Sequence, residues 1–149
     1  MLRCTSLESI DLRHLKALKT VGDRFLAECS NLKSANLSGV ERLESVGTRF
    51  MLQCTSLDSF DATHLKALKT VGDWFLAGCS NVKSAHLSGL ARLESVGNNF
   101  MQRCTSLDSF DATHLKALKR KGRGFLDSCS NLKAAPKNVK AGKKVGAEE

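Results

Sequence analysis

Residues 29–53 read CSNLKSANLSGVERLESVGTRFMLQ, and almost the whole chain is built from copies of this 25-residue unit. One cysteine opens each copy, at intervals of 25 residues: Cys4, Cys29, Cys54, Cys79, Cys104 and Cys129. Columns of leucine, valine and phenylalanine recur at the same interval. Self-similarity at a fixed period of about 20–50 residues is typical of a solenoid, whose coils bury their apolar edges against one another.

Each unit also predicts the course of one coil. The segment SLESIDL (6–12) has the residue pattern of a short strand, and LKTVG (18–22) predicts a second one. The segment DRFLAECS (23–30) predicts a short helical turn with Phe25 and Leu26 pointing inward. A column of glycines closes the second strand and predicts a repeated sharp corner, with positive φ or close backbone approach. Its members are Gly22, Gly47, Gly72, Gly97 and Gly122.

The copies SLESIDL…LKTVGDRFLAEC and NLKSANL…LESVGTRFMLQC resemble the BspA-like leucine-rich repeats, and the resemblance covers residues 1–133. It implies an α/β-type leucine-rich-repeat solenoid of about six coils, which begin at residues 4, 29, 54, 79, 104 and 129. Parallel strands would stack along the axis, with short helical turns or second short strands on the other side. Such repeats are similar to those of surface and adhesion proteins of bacteria and parasitic protists. The resemblance therefore implies a binding role and a location at the cell surface or outside the cell.

The two ends of the chain depart from the repeat. Met1 aligns with Met51 and Met101 in the middle of a coil, which indicates an excerpt of a longer array or a truncated one. Open ends would expose strand edges and favour end-to-end self-association. Residues 134–149 lack the repeat columns, and we expect them to form a basic, disordered tail. No apolar run of about 18 residues is present that would span a membrane.

Charge is concentrated near the C terminus. The formal net charge is +8, and residues 116–149 contribute +7 of it, with 10 basic and 3 acidic side chains. Within the repeats, units that begin CTSL alternate with units that begin CSN, and two columns alternate in sign. They are Glu8, Lys33, Asp58, Lys83, Asp108, Lys133 and Lys19, Glu44, Lys69, Glu94, Lys119. Coils stacked about 4.8 Å apart would place opposite charges side by side.

The sequence lacks the residue constellations that mark an enzyme, a cofactor site or a metal site. One cysteine per coil predicts a column of buried free thiols rather than disulfides, and there is no CxxC pair of the kind that binds zinc. His14, His64 and His114 would lie two coils, about 10 Å, from one another, which is too far for one metal ion. No serine elbow and no phosphate-binding glycine loop is present. We therefore expect no catalytic residue, no metal ligand and no cofactor.

Residues that successive coils expose in register are the best candidates for a site. The first strand column predicts a partner-binding face, and Trp74, which replaces the arginines of equivalent coils, is a candidate aromatic anchor. The candidate residues are Ser9, Asp11, Arg13, Asp61, Trp74, His86 and Asp111. Together with the family resemblance, they predict a non-enzymatic interaction or adhesion module that binds a protein or a glycan.

Two alternatives stay open. Basic residues near the C terminus could bind nucleic acid or another acidic surface through counterion release. They are Lys119, Arg120, Lys121, Arg123, Lys133, Lys137, Lys140, Lys143 and Lys144. No aromatic residue follows Phe125, so the segment lacks a base-stacking platform and nucleic acid is the less favoured partner. The chain could also be a fragment of a longer surface repeat protein, without an independent function.

Overall fold

The computed structural model describes residues 1–133 and residue 136, which form a solenoid of stacked coils with two short strands in each of the first four coils and one in the fifth. The strands are β1 (Ser9–Asp11), β2 (Thr20–Val21), β3 (Ser34–Asn36), β4 (Ser45–Val46), β5 (Ser59–Asp61), β6 (Thr70–Val71), β7 (Ser84–His86), β8 (Ser95–Val96) and β9 (Arg120–Lys121). A short 3-10 helix, Ala112–His114, lies in the fifth coil. The tail predicted at 134–149 falls outside the described residues, apart from Pro136.

The second strands of the coils form one continuous parallel sheet. Its order is β2-β4-β6-β8-β9, so each coil pairs with the next coil along the chain. Val21 lies beside Val46, Val46 beside Val71, and Val71 beside Val96. Because these partners are one sequence unit apart, every coil contains one copy of the repeat. The stacked parallel strands confirm the predicted leucine-rich-repeat solenoid, with second strands rather than helices on its other side.

The first strands pair in twos instead of forming one sheet. β1 pairs with β3 and β5 pairs with β7, whereas β3 and β5 belong to separate sheets. This division follows the alternation of the two kinds of unit. Large and small core residues also alternate between the two kinds of unit. One coil has Phe60 and Ala62, and the next coil has Ala85 and Leu87 at the equivalent positions, with Phe60 beside Ala85. Alternating large and small side chains fills the core without voids.

The third side of each coil is a series of turns, and the helical turn predicted at 23–30 is wrong. Arg24, Leu26 and Glu28 have φ angles of 61°, 55° and 58°, in the left-handed region. In a helix, backbone N–H groups would bind carbonyls of the same segment. The N–H of Arg24 instead donates to the carbonyl oxygen of Thr48 in the next coil, at 2.7 Å. The turns therefore form a third column of hydrogen bonds between coils, which local sequence does not reveal.

The glycine column marks a close approach between coils. A Cβ atom on Gly72 would lie 2.7 Å from the carbonyl carbon of Gly47, well inside the about 3.5–4.0 Å separation of carbon atoms in contact. The predicted close approach is confirmed. The alternative of positive φ is wrong for this column, because the described glycines with positive φ are Gly78 and Gly124.

Phenylalanine rings run through the core as a stack. The ring centroids of Phe25 and Phe50 are 5.7 Å apart, and those of Phe50 and Phe75 are 5.3 Å apart. The stack continues through Phe100 to Phe125, with a last spacing of 5.0 Å. Stacked rings in every coil contribute apolar burial and favourable aromatic contacts along the whole solenoid.

The two ends of the described stack differ in polarity. At the C-terminal end, the ammonium group of Lys121 lies 5.2 Å above the ring centroid of Phe125, a cation–π contact at a position where other coils have valine. In the first coil, by contrast, Leu15 is 46% exposed, whereas the equivalent Leu65 is 2% exposed. The end-to-end self-association predicted from the sequence stays a prediction.

Candidate functional site

The first strand column presents one side of the solenoid to the solvent, and we call this side the strand face. Side chains alternate along a strand, so the central residue points inward and the two flanking residues point outward. The flanking residues are Ser9, Asp11, Ser34, Asn36, Ser59, Asp61, Ser84 and His86, and the fifth coil continues the column with Ser109 and Asp111. Five of the seven predicted site residues belong to this face, and Arg13 lies in the turn that follows β1.

The three acidic residues of the strand face also have a structural role that sequence reasoning missed. Asp61 Oδ1 accepts a hydrogen bond from the backbone N–H of Thr63 at 2.9 Å, two residues further along the chain. The same short-range bond occurs at three other coils, from Arg13 to Asp11, from Ser38 to Asn36 and from Thr113 to Asp111. Asp and Asn commonly stabilise turns in this way. The recurrent Asp or Asn two residues before a polar residue was the sequence pattern that could have indicated it.

The turn bonds also affect the pKa of two carboxyl groups of the strand face. Hydrogen bonds from the hydroxyl and the N–H of Thr113 lower the pKa of Asp111. At Asp61, burial acts in the opposite direction, but hydrogen bonds from Thr63 and the nearby His86 lower the pKa below its usual value. Both carboxylates are ionised at neutral pH, as an ordinary Asp is, and the lowered pKa keeps them ionised to a lower pH.

His86 is the exception among the first five coils of this column, because the other four have Asp or Asn at its position. It lies beside Asp61 in the strand register. A cavity of about 280 Å³ opens next to it, lined also by Asp111 and His114, where β7 has no strand neighbour in the fifth coil. His114 Nε2 lies 3.5 Å from Asp111 Oδ2. The structure thus brings the predicted residues Asp61, His86 and Asp111 together, and it adds His114.

Trp74 belongs to a different surface, which we call the tryptophan face and define by Asp23, Arg24, Thr48, Arg49, Asp73 and Trp74. These residues line a second cavity, of about 440 Å³, on the turn side of the first coils. Trp74 is 37% exposed and follows Arg24 and Arg49 in the same column of the repeat. The structure therefore separates Trp74 from the strand-face residues with which the sequence grouped it. Arg24 and Arg49 are the neighbours that this grouping missed.

The cysteine column lies in the core. All six cysteines are free, five are buried and Cys4 is half-buried. The Cys79 thiol donates to the carbonyl oxygen of Met51 at 3.1 Å. A hydrogen bond with the Cys54 thiol, followed by burial, raises the pKa of Cys79 well above its ordinary value. A protonated, buried thiol is a poor nucleophile, and the burial of five of the six cysteines in the core gives this column a packing role.

The predicted charge columns form few close ion pairs. Lys33 Nζ lies 3.3 Å from Glu8 Oε2, and Lys119 Nζ lies 3.6 Å from Glu94 Oε2. Both pairs are solvent-exposed, and such pairs contribute at most about 1 kcal/mol. Within residues 1–133, no three His, Cys, Asp or Glu side chains are grouped so that they could hold a metal ion. The described chain also has no helix with the length and apolarity to cross a bilayer.

Stacked parallel strands, a 25-residue repeat and apolar columns of leucine and phenylalanine define a leucine-rich-repeat solenoid. The model of the BspA type leucine rich repeat region matches residues 2–133 with six copies. The chain therefore belongs to the BspA-type leucine-rich repeat family, which confirms the resemblance drawn from the repeat pattern. No curated protein and no solved structure matches the chain.

Proposed function

We propose that the chain is a non-enzymatic interaction module that binds a protein partner through the strand face. The observation that carries this proposal is the division between an apolar core and a periodic polar surface. Among the described residues, no polar or charged residue is buried. Hydroxyl, carboxylate and imidazole groups of successive coils instead form one regular row on the strand face. Such a row offers many equivalent contacts along an extended surface, which suits a macromolecular partner.

The acidic residues of the strand face favour binding over catalysis. An efficient general acid or base needs a pKa near the working pH. Hydrogen bonding moves the pKa of Asp61 and Asp111 in the opposite direction, away from neutrality. These carboxylates act as permanent negative charges, which can steer a partner with a complementary basic surface. Adhesion at a cell surface is the setting that the family resemblance favours, and we include it in the proposal.

The test is a pulldown from the source cells with the immobilised chain, followed by purified-component binding with the captured protein. A strand-face variant would carry Asp11→Asn, Asp61→Asn, His86→Asn and Asp111→Asn. Asparagine keeps the turn bonds, as Asn36 does through its own Oδ1, so the variant removes charge without removing the acceptor. We expect it to weaken binding at least tenfold, whereas deletion of 134–149 should leave binding intact. Unchanged binding of the strand-face variant would exclude this face.

The basic C-terminal region is a second candidate binding segment. Residues 116–149 carry a net charge of +7, which favours an acidic surface or nucleic acid as partner. Two of its lysines already have contacts within the chain, since Lys119 pairs with Glu94 and Lys121 covers Phe125. Binding through this region should fall steeply with salt and disappear when 134–149 is deleted. Binding that is insensitive to both changes would rule it out.

A further inference from the structure

The tryptophan face carries large side chains at a backbone position that suits small ones. Arg24, Arg49 and Trp74 have φ angles of 61°, 60° and 62°. This left-handed conformation costs an L-residue other than glycine about 1–2 kcal/mol, and Asn tolerates it better than most. The next two coils have Asn99 and Gly124 at the same position, which are the residue types that this geometry favours. Two arginines and a tryptophan are therefore unfavourable choices for the backbone.

Hydrogen bonds between coils, such as the one from the N–H of Trp74 to the carbonyl oxygen of Asn98 at 2.8 Å, hold the backbone in this conformation, but they do not require large side chains there. The side chain of Leu26, another left-handed residue, is fully buried in the core, so apolar burial offsets its strain. Arg24, Arg49 and Trp74 are exposed instead. Neither arginine lies within 4.0 Å of a carboxylate in residues 1–133, whereas Arg3 pairs with Glu28 at 2.6 Å. Exposed side chains at Gln53 and Arg103 have the same left-handed φ, so backbone conformation alone does not mark this face. Its distinguishing feature is an exposed tryptophan beside arginine and aspartate side chains.

The composition of this face indicates an uncharged, hydrogen-bonding ligand. Asp23 and Asp73 balance the charges of Arg24 and Arg49, so the lining of the cavity has a net charge of zero. One carboxylate oxygen of Asp73 accepts a hydrogen bond from the backbone N–H of Asn98 at 2.7 Å, and this bond orients the carboxylate. Guanidinium groups donate hydrogen bonds and carboxylates accept them, so together they match neighbouring hydroxyl groups on one ligand. An exposed indole adds a flat apolar surface.

We propose that the tryptophan face is a binding site for a linear oligosaccharide that lies along the solenoid axis. The indole of Trp74 would pack on the C–H face of one sugar ring, while Arg24, Arg49, Asp23 and Asp73 bind hydroxyl groups of the next rings. The coils repeat at about 4.8 Å, close to the length of one pyranose ring, so consecutive sugars meet equivalent positions of consecutive coils. The cavity volume of about 440 Å³ is within the range of small-ligand sites. This site lies apart from the strand face proposed above.

The test uses the full chain and a printed panel of neutral, sialylated and uronic-acid glycans, followed by titration of the best soluble oligosaccharide. Trp74 is the single tryptophan and the chain has no tyrosine, so its fluorescence reports on this face alone. We expect a saturable shift of the emission on titration. Calorimetry should show at least a tenfold loss of affinity in Trp74→Asn, and the same loss in Arg49→Asn. Trp74→Phe should retain most of the affinity of the parent chain, because phenylalanine keeps an aromatic ring that can pack on a sugar.

Matched variants distinguish a loss of glycan binding at this site from a loss of folding and from an effect of the strand face. Asparagine occupies the equivalent position at Asn99 with φ of 61°, so Trp74→Asn and Arg49→Asn should keep the melting temperature of the parent. His86→Asn should leave glycan binding unchanged. The proposal is overturned if no glycan of the panel binds, or if binding survives Trp74→Asn. It is also overturned if Trp74 fluorescence responds to a peptide or protein partner and to no oligosaccharide.

Discussion

Replacing glycine with alanine at two positions of one column would test whether close packing of the coils, rather than backbone conformation, selects glycine. Gly72 lies in the middle of the solenoid, and Gly22 is its equivalent in the first coil. An added Cβ on Gly72 would lie 2.7 Å from the carbonyl carbon of Gly47 and 2.7 Å from the nitrogen of Thr48. An added Cβ on Gly22 would have no atom within 4 Å. Neither glycine has a positive φ, so the two sites differ in their neighbours and not in the backbone region they occupy.

The structure sets the size of the expected effect. Ordinary carbon contacts begin near about 3.5 Å, so alanine at position 72 would push two coils apart by roughly 0.8 Å. Because the contacted atoms belong to the backbone, no rotamer change relieves the clash. The displacement would also strain the hydrogen bond from Gly72 N–H to Val46 O, now 3.0 Å long. Overpacking of this kind costs about 1–3 kcal/mol, whereas Gly22→Ala should stabilise by about 0.4–1 kcal/mol through the unfolded state.

Urea titration followed by circular dichroism, with thermal melts in parallel, would measure both variants against the parent. At about 2–4 °C per kcal/mol for a chain of this size, Gly72→Ala should lower the melting temperature by roughly 2–12 °C. Gly22→Ala should leave the melting temperature unchanged or raise it slightly. Equal destabilisation by the two variants would refute the argument, because it would show that backbone conformation, and not close packing of the coils, is the reason for glycine in this column.

Three further predictions follow from single interactions. Asp73→Ala should cost about 1 kcal/mol in urea titrations because it removes the acceptor of the Asn98 N–H, whereas Asp73→Asn should cost little. Thiol labelling should modify half-buried Cys4 first and the other cysteines only in denaturant, and uniform labelling of the native chain would contradict the buried column. Burial raises the pKa of Asp61, but hydrogen bonds from Thr63 outweigh it and the net pKa is lowered. The ionised Asp61 therefore stabilises the fold above about pH 4, and this stabilisation is lost as the pH falls further. Melting temperatures between about pH 2 and 6 should therefore vary less in Asp61→Asn.

Side-chain periodicity was sufficient to predict which residues are buried. Cys54, Leu57, Leu68 and Phe75 recur at fixed positions of the unit, and all four lie in the core. The two strand columns were also predictable, since polar residues flank an apolar one in the first column and serine or threonine precedes valine in most copies of the second. Burial and strand formation were accessible because they depend on residue type and spacing within one unit, and that unit is repeated many times.

The candidate site was predicted only in part. The repeat indicated that Asp61, His86 and Asp111 share one exposed column, because residues at equivalent positions of a solenoid must lie in line. We did not predict from it that Asp61 and Asp111 also accept hydrogen bonds that stabilise turns. The repeat also did not indicate that Trp74 lies with Arg24 on another side of the coil. The position of Trp74 depends on the path of the backbone between the strands, which the repeat alone leaves undefined, whereas the turn bonds are local and follow the recurrent Asp or Asn.

The sequence by itself determined the period, the order of the coils and the identity of the core columns, because each is a property of one unit and its copies. The tertiary structure alone decided the conformation of the turns. Leu26 and Arg24 favour helical or extended backbone when isolated, yet both are left-handed here. The physical reason is that the N–H groups of the turns bind carbonyl oxygens of neighbouring coils. A local preference of about 1–2 kcal/mol per residue is overcome by hydrogen bonds and core burial that exist only once the coils have stacked.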